Sequence, residues 1–168
     1  MGYTTGGGHG PLARQHGLAS DRVRAFDVVT GDGVLRRATS TEHPDLFWGL
    51  RGGKGALGIV TAVEVDLLPI PTLYGGALFF AGADAGAVLR AWTGWCPSLP
   101  PQATTSIALL NLPAMPGVPA PLADRPTVRV RFAWVGDPTA GEAARAPMRA
   151  AATPIIDAVA VMPYAAWA

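Results

Sequence analysis

The stretch Gly2-Tyr3-Thr4-Thr5-Gly6-Gly7-Gly8-His9-Gly10 places five glycines within nine residues. Glycine loses more backbone entropy on ordering than any other residue, so this density requires a reason. One reason is a loop with positive φ angles, whose bare N–H groups form a concave cradle for an anion such as a pyrophosphate. The alternative is a flexible tail, because chain termini are often disordered. The glycines alone favour the tail, but the segments that follow favour the cradle.

The composition indicates a globular protein. The 168 residues carry a net charge of +1 with no basic stripe or acidic run, so neither nucleic acid nor a membrane surface is expected as a partner. No apolar run reaches the roughly 18 residues of a spanning helix, and no signal sequence opens the chain, which makes a cytoplasmic protein the expectation. Charged residues are 15% of the chain, against about 25% in typical domains. This shortage indicates a partner or further chain that covers part of the surface.

The sequence predicts neither a metal site nor a catalytic nucleophile. Cys96 is the only cysteine, which excludes an internal disulfide, and its place on a predicted helix favours a buried, inert thiol. The spacing of His9, His16 and His43 fits no common zinc pattern. No GxSxG elbow is present, and no spacing supports a Ser-His-Asp triad. No catalytic residue is therefore assigned.

In the first half, turn signals and alternation predict a β-hairpin, a short helix and a third strand. The hairpin turns at Gly31-Asp32-Gly33, where positive φ is tolerated. Pro44 and Asp45 suit the first turn of the helix, and Gly52 and Gly53 end it. The predicted elements are a helical turn over residues 11–17, strands over 21–30, 34–39 and 59–68, and a helix over 44–51.

Four larger side chains receive structural interpretations. Trp48, Trp92 and Trp95 lie at helical positions and are predicted to be core residues. Arg51 closes the helix over residues 44–51 and is predicted to bind carbonyls at that helix end.

The run Gly53-Lys54-Gly55-Ala56-Leu57-Gly58 matches the letters GxGxxG. The dinucleotide fingerprint requires a strand before this run and a helix after it. Here a helix precedes and a strand follows, which excludes a Rossmann site. Two interpretations stay open: a structural helix-to-strand turn, or a second loop of bare backbone lying close to the first.

The second half is predicted to be an α+β unit with the order β-α-β-β-α-β. A stiff break at Pro69 and Pro71 divides the chain into domains 1–70 and 71–168. This order is typical of a split antiparallel sheet with its helices on one face. The predicted strands cover residues 73–81, 104–112, 127–135 and 154–162, and the helices cover residues 85–96 and 137–151.

Short motifs follow one another through the first seventy residues, and their order and spacing resemble a known family. The motifs are Gly6-Gly7-Gly8-His9-Gly10-Pro11-Leu12, His16-Gly17-Leu18, Asp27-Val28-Val29-Thr30-Gly31-Asp32-Gly33, His43-Pro44-Asp45-Leu46-Phe47-Trp48, Arg51-Gly52-Gly53 and Gly58-Ile59-Val60-Thr61. They resemble the C-terminal half of the FAD-binding domain of the vanillyl-alcohol oxidase (PCMH-type) superfamily, closest to bacterial berberine-bridge-enzyme-like oxidases. The second half, through Met162-Pro163-Tyr164, resembles the start of that family's substrate domain.

The resemblance implies an FAD-dependent oxidoreductase that takes a hydride from an alcohol or amine carbon and passes electrons to dioxygen. It implies a partial FAD-binding domain over residues 1–70 and a partial substrate domain over 71–168. The protein positions and tunes such a cofactor, which carries the reaction itself. The implied cofactor-binding residues are Thr5, Gly6, Gly7, Gly8, His9 and Gly10 along the pyrophosphate and flavin, and Gly58, Ile59 and Val60 through their backbone.

The departures from the family give the expectation of a fragment. In the family, half a domain with a flavin-tethering histidine precedes the glycine loop, and the tyrosines that act as base follow the region that ends at Ala168. The chain is therefore expected to be inactive alone, and its substrate is unknown. A separate chain that supplies the missing half is a candidate partner. Lys54, Ala56 and Leu57 stand where the family more often has Gly, Asn and Phe, and the resemblance implies that Lys54 could add a charge near phosphate. The rival hypothesis is a non-catalytic α+β binding or dimerisation module.

Overall fold

The computed structural model describes residues 1–167 and divides into two units. The first unit spans Met1–Pro69 and the second begins at Ile70, one residue earlier than the sequence predicts. That these units are a cofactor domain and a substrate domain stays a prediction. Each helix in residues 1–167 is too short or too polar to cross a lipid bilayer.

The first unit contains a three-stranded antiparallel sheet in the order β2-β1-β3. Its longest helix, α3, packs the Phe47 ring 6.0 Å from the ring of Phe26 on the central strand. Leu50, one turn further along α3, is fully buried in the same cluster. The elements are α1 Gly2–Thr5, α2 Ala13–His16, β1 Val23–Val29, β2 Leu35–Thr39, α3 Pro44–Leu50 and β3 Ile59–Val65.

The hairpin between β1 and β2 turns at the predicted residues. The Thr30 N–H donates to the Val34 carbonyl at 3.1 Å, which closes the turn. The Asp32 carboxylate accepts hydrogen bonds from Arg36 and from the Thr30 hydroxyl, both at 2.6 Å. Arg36, followed by Thr30, holds the pKa of Asp32 well below its usual range.

The second unit is an antiparallel sheet in the order β5-β6-β4-β7, with β8 also paired to β4. The predicted α+β class with antiparallel sheets is confirmed. Each of the first three strands lies within one residue of its predicted bounds. The elements are β4 Thr72–Ala81, α4 Ala85–Trp95, β5 Ala103–Asn111, β6 Pro126–Trp134, α5 Pro138–Arg149, β7 Ile156–Asp157 and β8 Ala160–Pro163.

Side chains from both helices and the sheet form the core of the second unit. Val88 and Trp95 of α4 and Met148 of α5 are buried with Phe80 and Phe132 of the sheet. The Trp95 indole Nε1 donates to the Ala144 carbonyl of α5 at 2.8 Å, so the indole satisfies its polar atom while it packs.

A buried arginine also anchors α5. The Arg145 side chain is 3% exposed and contacts Glu142 at 2.7 Å and Asp157 at 2.9 Å. Glu142 also accepts from the Tyr74 hydroxyl, and these donors, Tyr74 first and Arg145 second, lower the pKa of Glu142. Burial, followed by the bond to Glu142, raises the pKa of Tyr74.

Three sequence predictions are wrong in detail. Trp48 is 79% exposed rather than core, because the seven-residue α3 buries only one face, on which Phe47 and Leu50 lie. Cys96 is half-buried in a 3-10 turn after α4. The strand predicted over residues 154–162 is split into β7 and β8, where the Ala158 carbonyl lies so close to Gly76 that any side chain there would collide.

Candidate functional site

The first glycine stretch is folded against its own unit. After the single turn of α1, Gly7 and Gly8 take φ angles of 102° and 72°. Their carbonyls accept hydrogen bonds from the N–H groups of Ser20 at 3.0 Å and Ala19 at 2.9 Å. The stretch is therefore an ordered part of the fold.

Packing within the unit already explains part of the glycine density. A Cβ on Gly8 would lie 2.6 Å from the Ala19 Cβ and 2.9 Å from the Tyr3 ring. Gly8 is thus required by its positive φ and by its neighbours, whether or not a ligand binds. The Thr5 side chain is likewise used internally, since it is buried and donates to the Met1 carbonyl at 3.3 Å.

The donors left over are backbone N–H groups. Within residues 1–167, the N–H groups of Gly8, His9 and Gly10 have no hydrogen-bond acceptor in the protein. Successive backbone N–H groups in a turn conformation can form a concavity that binds phosphate oxygens. Of the residues that carry these donors, Gly8 is buried and Gly10 is half-buried. The His9 side chain is exposed. The donor set of this loop therefore fits an anionic group.

The second glycine stretch connects α3 to β3 through a 3-10 turn, Lys54–Leu57. Gly58 follows with a φ of 149°, and a Cβ there would collide with the Val29 carbonyl. Ile59 and Val60 pair with Val29 and Val28 of β1, and the Ile59 side chain is 74% exposed. Because β3 is an edge strand, the polar backbone groups on its outer side are open to a ligand.

The structure brings the two glycine stretches together. The Cβ position of Gly6 lies 3.1 Å from the Lys54 Cε, and α1 contacts the turn that begins at Lys54. Lys54 is exposed, has a left-handed φ of 57°, and has no carboxylate within ion-pair distance in the described residues. The junction thus carries an uncompensated ammonium group beside a loop with unpaired N–H groups. Cofactor contact by the nine predicted residues stays a prediction.

Arg51 has a different role from the predicted one. Its Nε donates to the Ser20 carbonyl at 2.8 Å and its Nη2 contacts the Asp21 carboxylate at 3.2 Å, while the guanidinium lies over the Phe47 ring. Because the Ser20 N–H holds the Gly7 carbonyl, Arg51 positions the first glycine stretch from the end of α3. No local pattern in the sequence predicts this contact, because it joins residues 31 positions apart.

A pocket of about 440 Å³ opens beside Arg51, with none of the predicted cofactor-binding residues in its lining. The residues that line it are Asp21, Trp48, Gly49, Arg51, Gly52 and Gly53.

The histidines are scattered. His9 is exposed, the His16 Nδ1 lies 3.4 Å from Arg22 Nη2, and His43 precedes α3 with a left-handed φ of 49°. No group of three or more His, Cys, Asp or Glu side chains in residues 1–167 is arranged to hold a metal ion.

Comparison with known proteins identifies relatives that match part of the chain. No family model matches it. Over 75 residues, 45% of this chain, it is 48% identical to the FAD-dependent monooxygenase drtC of Aspergillus calidoustus. Over 72 residues, 42% of this chain, it is 50% identical to Berberine bridge enzyme-like 24 of Arabidopsis thaliana. These matches cover 14% and 13% of the two relatives.

Solved structures match nearly the whole chain. With 6-hydroxy-D-nicotine oxidase from Arthrobacter nicotinovorans the TM-score is 0.81 at 25% identity, covering 97% of this chain and 35% of the oxidase. With the VAO-type flavoprotein MtVAO615 from Myceliophthora thermophila C1 the TM-score is 0.73 at 24% identity, covering 96% of this chain and 28% of that protein. The chain therefore spans about a third or less of the proteins it matches.

Proposed function

We propose that the chain is a portion of an FAD-linked, berberine-bridge-enzyme-like oxidoreductase, because it shares sequence and fold with part of such enzymes. The predicted resemblance to VAO (PCMH-type) flavoproteins is confirmed, and FAD is the expected cofactor. The portion would comprise the second half of the FAD-binding domain and the start of the substrate domain. The observation that carries the proposal is the contact of the two glycine stretches beside backbone N–H groups and a Lys54 ammonium that have no partner in residues 1–167.

This chain's contribution to the cofactor site is to bind and orient. The N–H groups of Gly8, His9 and Gly10 would donate to diphosphate oxygens, and Lys54 would add a positive charge. The outer backbone groups of Gly58 to Val60 would contact the cofactor along an open strand edge. When bound, FAD supplies the capacity to accept a hydride from an alcohol or amine carbon and to pass electrons to dioxygen.

The isolated chain is proposed to bind FAD weakly and to lack turnover. Support comes from its coverage of only 35% of 6-hydroxy-D-nicotine oxidase and 14% of drtC, which leaves most of each relative's length without a counterpart. A further segment or a separate chain would supply the rest of the cofactor site and the base. The substrate is not assigned by this proposal.

Flavin titrations test the proposal. FAD fluorescence and the visible flavin spectrum would be followed while the chain is added, with riboflavin as a matched ligand that lacks the diphosphate. We expect saturable changes with FAD that ADP reverses, and no change with riboflavin. Absence of any change with FAD at millimolar protein, or equal binding of riboflavin, would contradict diphosphate recognition.

A second candidate, a non-catalytic association module, is favoured by exposed apolar side chains in the first unit. Trp48, Leu67 and Ile59 are 79%, 86% and 74% exposed, which leaves three large apolar side chains available for contact with another protein. Light scattering separates the candidates. A discrete dimer that ignores FAD supports the module, whereas a monomer that binds FAD excludes it.

A further inference from the structure

The second unit holds a pocket of about 380 Å³ on the sheet face that α4 and α5 leave uncovered. Val128 and Val130 of β6 point into the core beneath the helices, so the alternating Arg129 and Arg131 lie on the other face. In register with them on β4 are Phe79, opposite Arg129, and Ala77, opposite Arg131. All four of these outer residues line the pocket, and the two core valines do not.

Among residues 1–167, neither guanidinium group forms an ion pair with a carboxylate. In the part of the chain that the structure describes, Arg129 makes neither a hydrogen bond nor an ion pair, and its Nε is buried without an acceptor. Arg131 donates to the Trp167 carbonyl at 3.3 Å and lies 4.6 Å from the centroid of the Trp167 ring. None of the described residues that line the pocket is an aspartate or a glutamate. Both arginines are half-buried, and charges withdrawn from water are ordinarily paired. Within residues 1–167, this pair of cations is left without an anion.

The acidic residue on the neighbouring strand is already engaged elsewhere. Asp157 of β7 is in register with Leu78, whose side chain lies in the core on the helix face. Its carboxylate pairs with Arg145 at 2.9 Å and with Arg149 at 3.1 Å. Burial, followed by the nearby charge of Arg129, lowers the pKa of Arg131, as expected for a cation without a counter-ion.

We propose that this pocket binds a small organic carboxylate, with the carboxylate between Arg129 and Arg131. The planar guanidinium matches a carboxylate with two parallel hydrogen bonds. Phe79, Met162 and Trp167 offer apolar contact for an aryl or alkyl group on the same molecule. The volume lies within the roughly 300–1,000 Å³ of small-molecule sites. That this carboxylate is the substrate to be oxidised rests on the proposed function, whereas that the pocket binds a carboxylate does not.

Calorimetric titration of the full chain with benzoate, without flavin, tests the inference. Benzamide, which has the same shape and no charge, and inorganic phosphate, which has charge and no apolar part, are the matched ligands. We expect benzoate to bind, Arg129→Gln to weaken its binding at least tenfold, and Arg125→Gln to leave it unchanged. Arg125 is exposed, bonds only to the Ala123 carbonyl within residues 1–167, and controls for the lost charge.

Arg131→Gln removes the contact with Trp167, so Arg131→Lys serves as a second variant. It keeps the positive charge but lacks the planar pair of N–H donors of a guanidinium group. We expect an intermediate loss for Arg131→Lys, with circular dichroism unchanged. Equal benzoate binding by the native chain and Arg129→Gln, or benzamide or phosphate binding as tightly as benzoate, would overturn the inference. Because flavin is absent, this result is separate from the outcome of the FAD titration.

Discussion

The two units of this chain are each stabilised internally by different kinds of contact. The second unit buries a cluster of twelve side chains between its sheet and two long helices, whereas the main cluster of the first unit has six. In the first unit, backbone hydrogen bonds from Ala19 and Ser20 fix the glycine stretch, while Trp48 and Ile59 stay exposed. The second unit is thus specified by side-chain packing. The first depends strongly on loop conformation, which agrees with a role in presenting backbone groups to a ligand.

The largest expected effect is a loss of stability when side-chain packing in the second unit is disrupted. Phe132→Ala removes a fully buried ring that lies 5.8 Å from the ring of Trp95. Such truncations cost about 3–5 kcal/mol because transfer energy is lost and a cavity remains. Urea unfolding followed by tryptophan fluorescence should show this loss in the second unit. A loss below about 1 kcal/mol would contradict the core assignment.

A somewhat smaller loss of stability is expected when the buried charge of Arg145 in the same unit is removed. Arg145→Met leaves Glu142 and Asp157 without their buried partner, which should cost about 3 kcal/mol. Arg149→Met is the matched control, because the Arg149 side chain is 54% exposed and exposed pairs contribute about 0–1 kcal/mol. Equal losses for the two variants in thermal unfolding would show that the Arg145 network does not anchor α5.

In the first unit, the most direct test changes a glycine whose backbone conformation disfavours a side chain. Gly58→Ala places a Cβ against the Val29 carbonyl at a φ of 149°, and such strain costs about 1–3 kcal/mol. Gly55→Ala is the control, since no atom lies within 4 Å of its Cβ position and its φ is not positive. Thermal unfolding should separate the two variants. Similar stability of both would mean that the turn before β3 adjusts freely.

The smallest effect concerns pH. The Tyr74 hydroxyl and then Arg145 lower the pKa of Glu142 below the ordinary 4.5. A carboxyl with a lowered folded pKa contributes stability that is present above its unfolded pKa and is lost as pH falls through the folded pKa. Acid titration of the second unit should therefore show a loss below pH 4.5 that Glu142→Gln reduces. Glu42→Gln in the first unit is the control, and an identical acid profile for both variants would contradict the assignment.

Sequence periodicity predicted most of the second unit because its signals are local. Val128 and Val130 alternate with Arg129 and Arg131, and this pattern alone placed β6 to within one residue. The split of the last strand was not predictable, because it arises where Ala158 crosses Gly76 from far away in the chain.

The candidate site was predictable only in part. Glycine density marked both stretches, and the family resemblance suggested that they meet. The internal packing of Gly8 and the reach of Arg51 to Ser20 depend on contacts between distant residues, which no local pattern encodes. For the same reason the exposure of Trp48 was missed, since helical spacing does not tell which side faces the core.

In the proposed site, the two glycine stretches together bind the diphosphate of FAD. The most direct measurement is an amide-resolved NMR titration of the ¹⁵N-labelled chain with FAD. We predict that the amide signals of Gly8, His9, Gly10, Gly58 and Ile59 shift together with one saturation curve. Saturable shifts confined to other residues, with these amides unmoved, would contradict the account.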